Sequence, residues 1–87
     1  MKILAEPIDA LVMFKGKEKP IPFKFKYING DGIYQEIKID KILYTEDVKL
    51  AGIRAFIYCC QSLIGNQIRR YELKYIVGEY RWELYKM

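Results

Sequence analysis

The stretch IRAFIYCCQSLIGNQIRRYELKYIVGEYRWELYKM, residues 53–87, decides the fold. Two breaks, Gly65-Asn66 and Gly78-Glu79, divide it into runs. The runs are Ile53–Ile64, Gln67–Val77 and Tyr80–Met87. They are rich in β-branched and aromatic residues, which fit a pleated, half-buried surface better than a helix. The stretch therefore predicts a meander of three antiparallel strands.

The first of these runs is apolar on both faces. One face carries Ile53, Ala55, Ile57 and Cys59, and the other carries Phe56, Tyr58, Cys60 and Ile64. This pattern predicts a central strand covered on both sides, or one that passes from one layer to another. A buried helix is the alternative, because periodicity alone does not separate the two. We favour the strand, since the run leads straight into Gly65-Asn66 and a second alternating run.

The first half of the chain predicts three more strands that cover the meander. They are Ile8–Lys15, Pro20–Asn29 and Ile33–Tyr44, after a lead-in or edge segment at Met1–Pro7. Period-two alternation places the apolar residues of each strand on one face. These are Ile8, Ala10, Val12 and Phe14 in the first strand, and Ile21, Phe23, Phe25 and Tyr27 in the second. Pro20 and Pro22 cannot donate ladder hydrogen bonds, so the second strand should start at a sheet edge.

Three local signals refine this outline. The sequence Asn29-Gly30-Asp31-Gly32 favours a hairpin turn, because primed turns need positive φ. The alternation slips near Asp40-Lys41, which predicts a β-bulge. The segment Thr45–Gly52 resists a strand interpretation and fits a capped helical turn or a plain loop equally well.

The expected fold is therefore all-β. Turn signals at intervals of about 8–12 residues indicate six antiparallel strands in one domain, residues 1–87. Short turns and strong curvature fit a small barrel or a highly twisted meander. A chain of this size buries only about 60–65% of its unfolded surface.

Composition excludes several functional classes. No apolar run approaches the ~20 residues of a membrane span. Ile3-Leu4-Ala5 is too short for a signal peptide, which needs roughly 7–15 apolar residues. We therefore expect a cytoplasmic protein. The net charge of +4 permits an anionic partner without demanding one.

The chain shows no catalytic or metal-binding pattern. It has no histidine, phosphate-binding loop or nucleophile elbow, so we expect no enzyme, no cofactor and no metal. Cys59 and Cys60 are adjacent in a strand and point to opposite faces, which predicts buried, reduced thiols. Glu36 and Asp40 could pair for acid–base work, but neighbouring lysines favour an ordinary solvated face.

One resemblance follows from the order of the strand motifs. The matching elements are Pro22-Phe23, Tyr34 with Ile39 and Ile42-Leu43, Arg70-Tyr71-Glu72-Leu73, and Trp82-Glu83-Leu84-Tyr85. With these elements, residues 20–87 resemble small bacterial β-domains of uncharacterised function, some of which accompany translesion DNA polymerases. The resemblance implies a β fold and a DNA-repair setting. It carries no catalytic residue.

Basic residues on three strands suggest contact with nucleic acid. The candidates are Lys24, Lys26, Arg69, Arg70, Lys74 and Arg81. Cations that alternate with aromatic residues suit single-stranded nucleic acid, because bases stack on rings while cations follow the phosphates. The alternative is that the aromatic residues are core and the cations are solubilising charges that protect sheet edges. The two residue types mostly occupy opposite faces of their strands, which favours the alternative.

A third class is a protein-interaction module. More apolar positions exist than one single-layer sheet can bury, including Leu11, Met13 and Ile28. Exposed apolar patches usually mark contacts, so we expect a homodimer or a partner interface. The sequence thus predicts a non-enzymatic accessory domain that contacts a protein partner, nucleic acid or both. The alternative is a homodimeric module with no nucleic-acid role.

Overall fold

The computed structural model describes residues 1–87 as eight strands and one short 3₁₀ turn, Val77–Glu79. The strands are β1 (Ile3–Pro7), β2 (Asp9–Met13), β3 (Ile21–Ile28), β4 (Tyr34–Lys38), β5 (Lys41–Leu50), β6 (Ile53–Ile64), β7 (Gln67–Ile76) and β8 (Arg81–Lys86). They form a five-stranded sheet in the order β1-β8-β7-β6-β5 and a three-stranded sheet in the order β2-β3-β4. The all-β antiparallel class is confirmed. The expected six-stranded barrel is wrong, because there are eight strands and the sheets do not close.

The C-terminal meander forms as the sequence predicts. β6 has the predicted bounds, while β7 ends one residue early and β8 is one residue shorter at each end. Continuous pairing from Ala55↔Ile76 to Ile64↔Gln67 joins β6 to β7. β6 is central, between β5 and β7, so the strand interpretation is confirmed and the helix alternative is wrong.

The segment Thr45–Gly52 is the largest departure from expectation. Neither a helical turn nor a loop forms, because Thr45–Leu50 completes β5 and pairs with β6 as far as Leu50↔Ile53. β5 is an edge strand that is exposed along most of its length, with only Ile42 and Val48 half-buried. A strand that buries so little has no need of a strict apolar–polar alternation, so the sequence carried no period-two signal here.

The predicted strand Ile33–Tyr44 is divided between the two sheets. The chain leaves the three-stranded sheet where the Ile39 amide donates to the Phe23 carbonyl at 2.8 Å. It enters the five-stranded sheet where the Asp40 amide donates to the Gln61 carbonyl at 3.2 Å. The slip in alternation therefore marks a crossing between layers, and the bulge lies a little further on, around Leu43.

The prediction for β3 is wrong in its first half. Phe25 is 1% exposed and faces the core, but Phe23 is 47% exposed and Ile21 is also exposed. The register against β2 shifts between Leu11 and Val12, so an extra residue on β3 reverses the alternation there. The hairpin after β3 forms as expected. In that turn the Asn29 side-chain oxygen accepts the Asp31 and Ile33 amides, and Gly32 has φ +76°.

The core lies between the two sheets. Phe25 and Ile37 of the three-stranded sheet meet one continuous apolar cluster on the five-stranded sheet. Its members are Phe56, Tyr58, Cys60, Tyr71, Leu73, Tyr75, Trp82 and Leu84. The Trp82 ring lies 4.8 Å from that of Tyr75 and 5.3 Å from that of Tyr58, centroid to centroid.

Buried hydroxyl groups tie the layers together. The Ser62 hydroxyl donates to the Lys38 carbonyl at 2.7 Å and lies 2.6 Å from the Tyr71 hydroxyl. The Tyr58 hydroxyl donates to the Pro20 carbonyl. The bonds to Lys38 and Pro20 each join a side chain of the five-stranded sheet to the backbone of the other sheet or of the residue just before it. The two sheets are therefore connected by specific polar contacts as well as by apolar packing.

Candidate binding surfaces

Lys24 and Lys26 lie on the outer face of the three-stranded sheet, as the sequence predicts. The ammonium group of Lys24 is 2.7 Å from a Glu36 carboxylate oxygen, and that of Lys26 is 4.0 Å from the other oxygen. The hydrogen bond from Lys24 holds the pKa of Glu36 below its ordinary value. These two lysines are therefore already balanced in part by an anion of their own sheet.

Lys74 and Arg81 belong to the five-stranded sheet and lie on its outer face. Lys74 pairs directly with Glu83 across β7 and β8. The Arg81 guanidinium contacts Glu79 at 3.2 Å and Glu83 at 3.6 Å. The Lys74 ammonium also lies 4.8 Å from the centre of the Tyr85 ring. This surface faces away from Lys24 and Lys26, because the core separates the two outer faces.

Arg69 and Arg70 form a third group near the start of β7. Both are exposed, and they pair with Ser62 and Gln61 of β6 near the β6–β7 turn. Neither makes an ion pair within 4.0 Å. The six predicted cations thus fall into three separate groups, and the structure does not bring them together as one patch.

An apolar groove runs along the outer face of the five-stranded sheet. We call this the outer groove; it has a volume of about 500 Å³. Ala55 and Ile57 of β6 form its floor, and Val48, Leu50 and Ile53 continue its apolar surface toward the β5–β6 hairpin. Its rim is charged, with Glu46 on the β5 side and Glu72, Lys74 and Lys86 on the β7–β8 side.

The groove floor is buried although no layer of this chain covers it. Ala55 is 1% exposed and Ile57 is 8% exposed. Residues directly opposite each other in an antiparallel sheet point to the same face, and Ala55 lies between Val48 and Ile76 in this way. The apolar residues on both faces of Ile53–Ile64 therefore both have a structural role. One face meets the core and the other forms this groove.

A further group of charged residues lies in the loop between β2 and β3. In the structure, its residues Lys17, Glu18 and Lys19 line a cavity of about 560 Å³ together with Arg54 and Phe56. Three lysines within the five residues from 15 to 19 are the signal that could have identified this cluster. The proximity of Arg54 depends on how β5 and β6 pair, and no local pattern predicted β5.

Two buried groups, the Cys60 thiol and the Tyr71 hydroxyl, have raised pKa values. Burial raises the pKa of the Cys60 thiol to about 12 and also raises that of the Tyr71 hydroxyl. Both groups thus stay protonated at neutral pH, and neither is a nucleophile there. Cys59 and Cys60 are both free and buried, as predicted. No three His, Cys, Asp or Glu side chains lie close enough together to hold a metal ion.

Comparisons with known protein families, with curated proteins and with solved structures each found no match. The resemblance to small bacterial β-domains thus stays an expectation from strand motifs. No helix in the structure has the length and apolar character needed to cross a membrane.

Proposed function

We propose that this chain is a non-enzymatic cytoplasmic accessory domain that acts by contacting a protein partner through the outer groove. The observation that carries the proposal is the exposed apolar surface of Leu50 and Ile53, which continues the buried floor of the groove on a sheet face that no other element of the chain covers. Monomeric soluble proteins rarely leave large apolar patches exposed, and polar residues around such a patch are typical of contact sites.

The rim charges suit a second copy of the same chain. Glu46 lies on the β5 side, and Lys74 and Lys86 outnumber Glu72 on the β7–β8 side. A two-fold dimer brings the same patch of each copy together, so an acidic wall can face the basic wall of its partner. Leu50 and Ile53 extend the patch, with 76% and 52% of their surfaces exposed. A homodimer is thus the form of the proposal that can be tested directly.

The test is sedimentation equilibrium of three proteins. The double variant Leu50→Glu/Ile53→Glu adds two charges beside the groove at exposed positions. The matched control is Leu63→Glu/Ile68→Glu, which puts the same two charges on an exposed cross-strand pair near the β6–β7 turn. We expect the wild type and the control to associate into a species of twice 10.4 kDa as concentration rises, and the double variant to stay monomeric.

Two outcomes would contradict a homodimer formed through the outer groove. In one, the wild type is a 10.4 kDa monomer at every concentration. In the other, both variants associate as the wild type does, which would place the contact elsewhere. Circular dichroism of all three proteins checks that the added charges leave the sheets intact.

Nucleic-acid contact is the second candidate function. The observation in its favour is the Arg69 and Arg70 pair, which is exposed and free of ion pairs. Each phosphate contact with a single strand contributes about −0.7 to the log–log salt slope of binding. If both arginines bind phosphate, Arg69→Ala/Arg70→Ala should reduce that slope by about 1.4. Fluorescence anisotropy with a labelled oligonucleotide at several salt concentrations measures it, and an unchanged slope counts against these residues.

A further inference from the structure

The net positive charge of the chain is concentrated at one end of the five-stranded sheet. We call the group there the basic cluster. Its members are Lys15, Lys17, Lys19, Lys49 and Arg54. Only two carboxylates, Glu18 and Asp47, lie among these five cations. The cluster therefore has a net charge of +3, out of +4 for the whole chain, so the rest of the molecule is close to neutral.

Contacts with one aromatic ring hold the cluster together. The Lys19 ammonium lies 5.3 Å from the centre of the Phe56 ring, and the Arg54 guanidinium lies 5.2 Å from it. Such cation–π contacts fix long side chains that would otherwise be mobile. Lys49 is the direct cross-strand partner of Arg54 and points to the same face. The loop after β2 and the β5–β6 hairpin therefore present their cations together.

The three loop lysines are free to bind an anion. None of them makes an ion pair within 4.0 Å, whereas Arg54 is paired with Asp47 at 2.8 Å. That pairing holds the pKa of Asp47 below its ordinary value, so Asp47 stays ionised and orients Arg54. Gly16 has φ +56°, a conformation that glycine tolerates. It helps to shape the turn that is closed by the Glu18 amide and the Lys15 carbonyl at 3.0 Å.

An exposed aromatic ring lies directly beside these cations. Phe14 precedes Lys15 and is 65% exposed, although Ala10 and Val12, which precede it at every second position, pack against the core. The edge-on contact of its ring with Tyr75, at 6.3 Å and 72°, holds it in place. A fixed and exposed ring next to unpaired cations is the arrangement on which a nucleobase stacks while its phosphates meet the lysines.

We propose that the basic cluster and Phe14 form a binding site for single-stranded nucleic acid. The strand places phosphates against Lys15, Lys17 and Lys19 and stacks one base on the Phe14 ring. A duplex is excluded as the preferred ligand, because its base faces are covered by their neighbours in the stack. This site differs from the six cations predicted from the sequence, and it stands independently of the protein contact at the outer groove.

The first test is an anisotropy titration with a fluorescein-labelled oligothymidylate of about twelve residues, a length within the range that small β-domains bind. Salt is varied from about 50 to about 200 mM. Three lysine contacts predict a log–log slope of about −2 for the wild type. Lys15→Ala/Lys17→Ala should reduce it by about 1.4, because two phosphate contacts are lost.

Two matched variants separate this site from net charge alone. Each variant removes two positive charges, as Lys15→Ala/Lys17→Ala does, but from another surface. They are Lys24→Ala/Lys26→Ala and Arg69→Ala/Arg70→Ala. We expect both to keep the wild-type slope. No binding by the wild type at the lowest salt overturns the proposal. Equal losses in all three double variants overturn it too, since binding would then follow overall charge. A loss confined to the arginine variant overturns it and assigns the contact to Arg69 and Arg70.

The stacking step has its own readout. Phe14→Ala should weaken binding about tenfold with the salt slope unchanged, whereas Phe14→Trp should restore it, because the indole also stacks. Polyglutamate of matched charge serves as a competitor. If polyglutamate displaces the strand as well as unlabelled oligothymidylate does, and Phe14→Ala binds normally, the site recognises charge alone and the proposal is wrong.

Discussion

The buried Ser62 hydroxyl gives the sharpest test of how the two sheets are joined, because it links Tyr71 of its own sheet to the Lys38 carbonyl of β4. Ser62 is fully buried, and its hydroxyl serves three partners: the Lys38 carbonyl, the Tyr71 hydroxyl and the Asp40 amide at 3.4 Å. Ser62→Ala removes this partner from all three, and only the Asp40 amide keeps a second one, the Gln61 carbonyl. A buried polar group without a partner costs about 1–3 kcal/mol. We therefore expect Ser62→Ala to lower the free energy of unfolding by about 2–3 kcal/mol.

Tyr71→Phe should be milder, although it acts on the same pair. It removes one hydroxyl and leaves Ser62 bonded to the Lys38 carbonyl, so the expected loss is about 1 kcal/mol. In the double variant no tyrosine hydroxyl is left unpaired. The double variant should therefore lose about 1 kcal/mol less free energy of unfolding than the sum of the two single losses. This difference is the interaction energy of two groups in contact.

Urea titration measures all three losses. The fluorescence of Trp82, which is the chain's one tryptophan and is 9% exposed, reports the core directly. For a chain of this size, the Ser62→Ala loss corresponds to a fall in Tm of about 10–20 °C. Additive losses in the double variant, to within about 0.3 kcal/mol, would refute the reasoning, since the two hydroxyls would then not interact.

Three further predictions follow from burial. Phe25→Ala should cost about 3–5 kcal/mol in urea unfolding, whereas Phe23→Ala on the exposed side of the bulge should cost less than about 1 kcal/mol; equal costs would contradict the observed register. Cys59 and Cys60 should react with Ellman's reagent only in denaturant, and a fast-reacting thiol in the native protein would show that one is accessible. The free energy of unfolding should fall at alkaline pH, because the native Cys60 thiol, with a pKa of about 12, keeps the proton that the unfolded thiol releases above its ordinary value of 9.0. The loss should begin near pH 9 and approach 1.4 kcal/mol per pH unit for this group, with Tyr71 adding to it at higher pH; urea titrations from neutral pH upward that show a constant stability would contradict it.

The parts of the fold that could be predicted from the sequence are those where a strand has one buried face. β7 alternates cleanly, because Tyr71, Leu73 and Tyr75 enter the core while Arg70, Glu72 and Lys74 are exposed or half-buried. β5 could not be found in this way, since its position is set by pairing with β6 and it buries almost nothing. The bulge opposite Leu11 could not be predicted from the local sequence either, because Phe23-Lys24 continues the regular apolar–polar alternation.

The prediction of the binding surfaces also depended on the order of the strands in the sheets. Lys24 and Lys26 were assigned correctly to an outer face, because neighbouring residues two apart share a face whatever the sheet order. These lysines could form one patch with Arg69 or Lys74 only if β3 and β7 shared a sheet. They do not, because β3 lies in the three-stranded sheet and β7 in the five-stranded sheet. The basic cluster was missed for a related reason, since Arg54 meets the loop lysines across a distance of more than thirty residues in the chain.

The pairing of β1 with β8 sets the order in which the domain can assemble during synthesis. Among these eight strands, β1 leaves the ribosome first, yet it pairs only with β8, as in the register pair Ile3↔Lys86. Closing so long a loop is entropically costly, and contacts of this kind form late. In the nascent chain, the hairpins β3–β4 and β6–β7 should therefore form before β1 pairs with β8. In the finished protein, β1 is a five-residue edge, so its amides should be among the first to exchange with deuterated solvent.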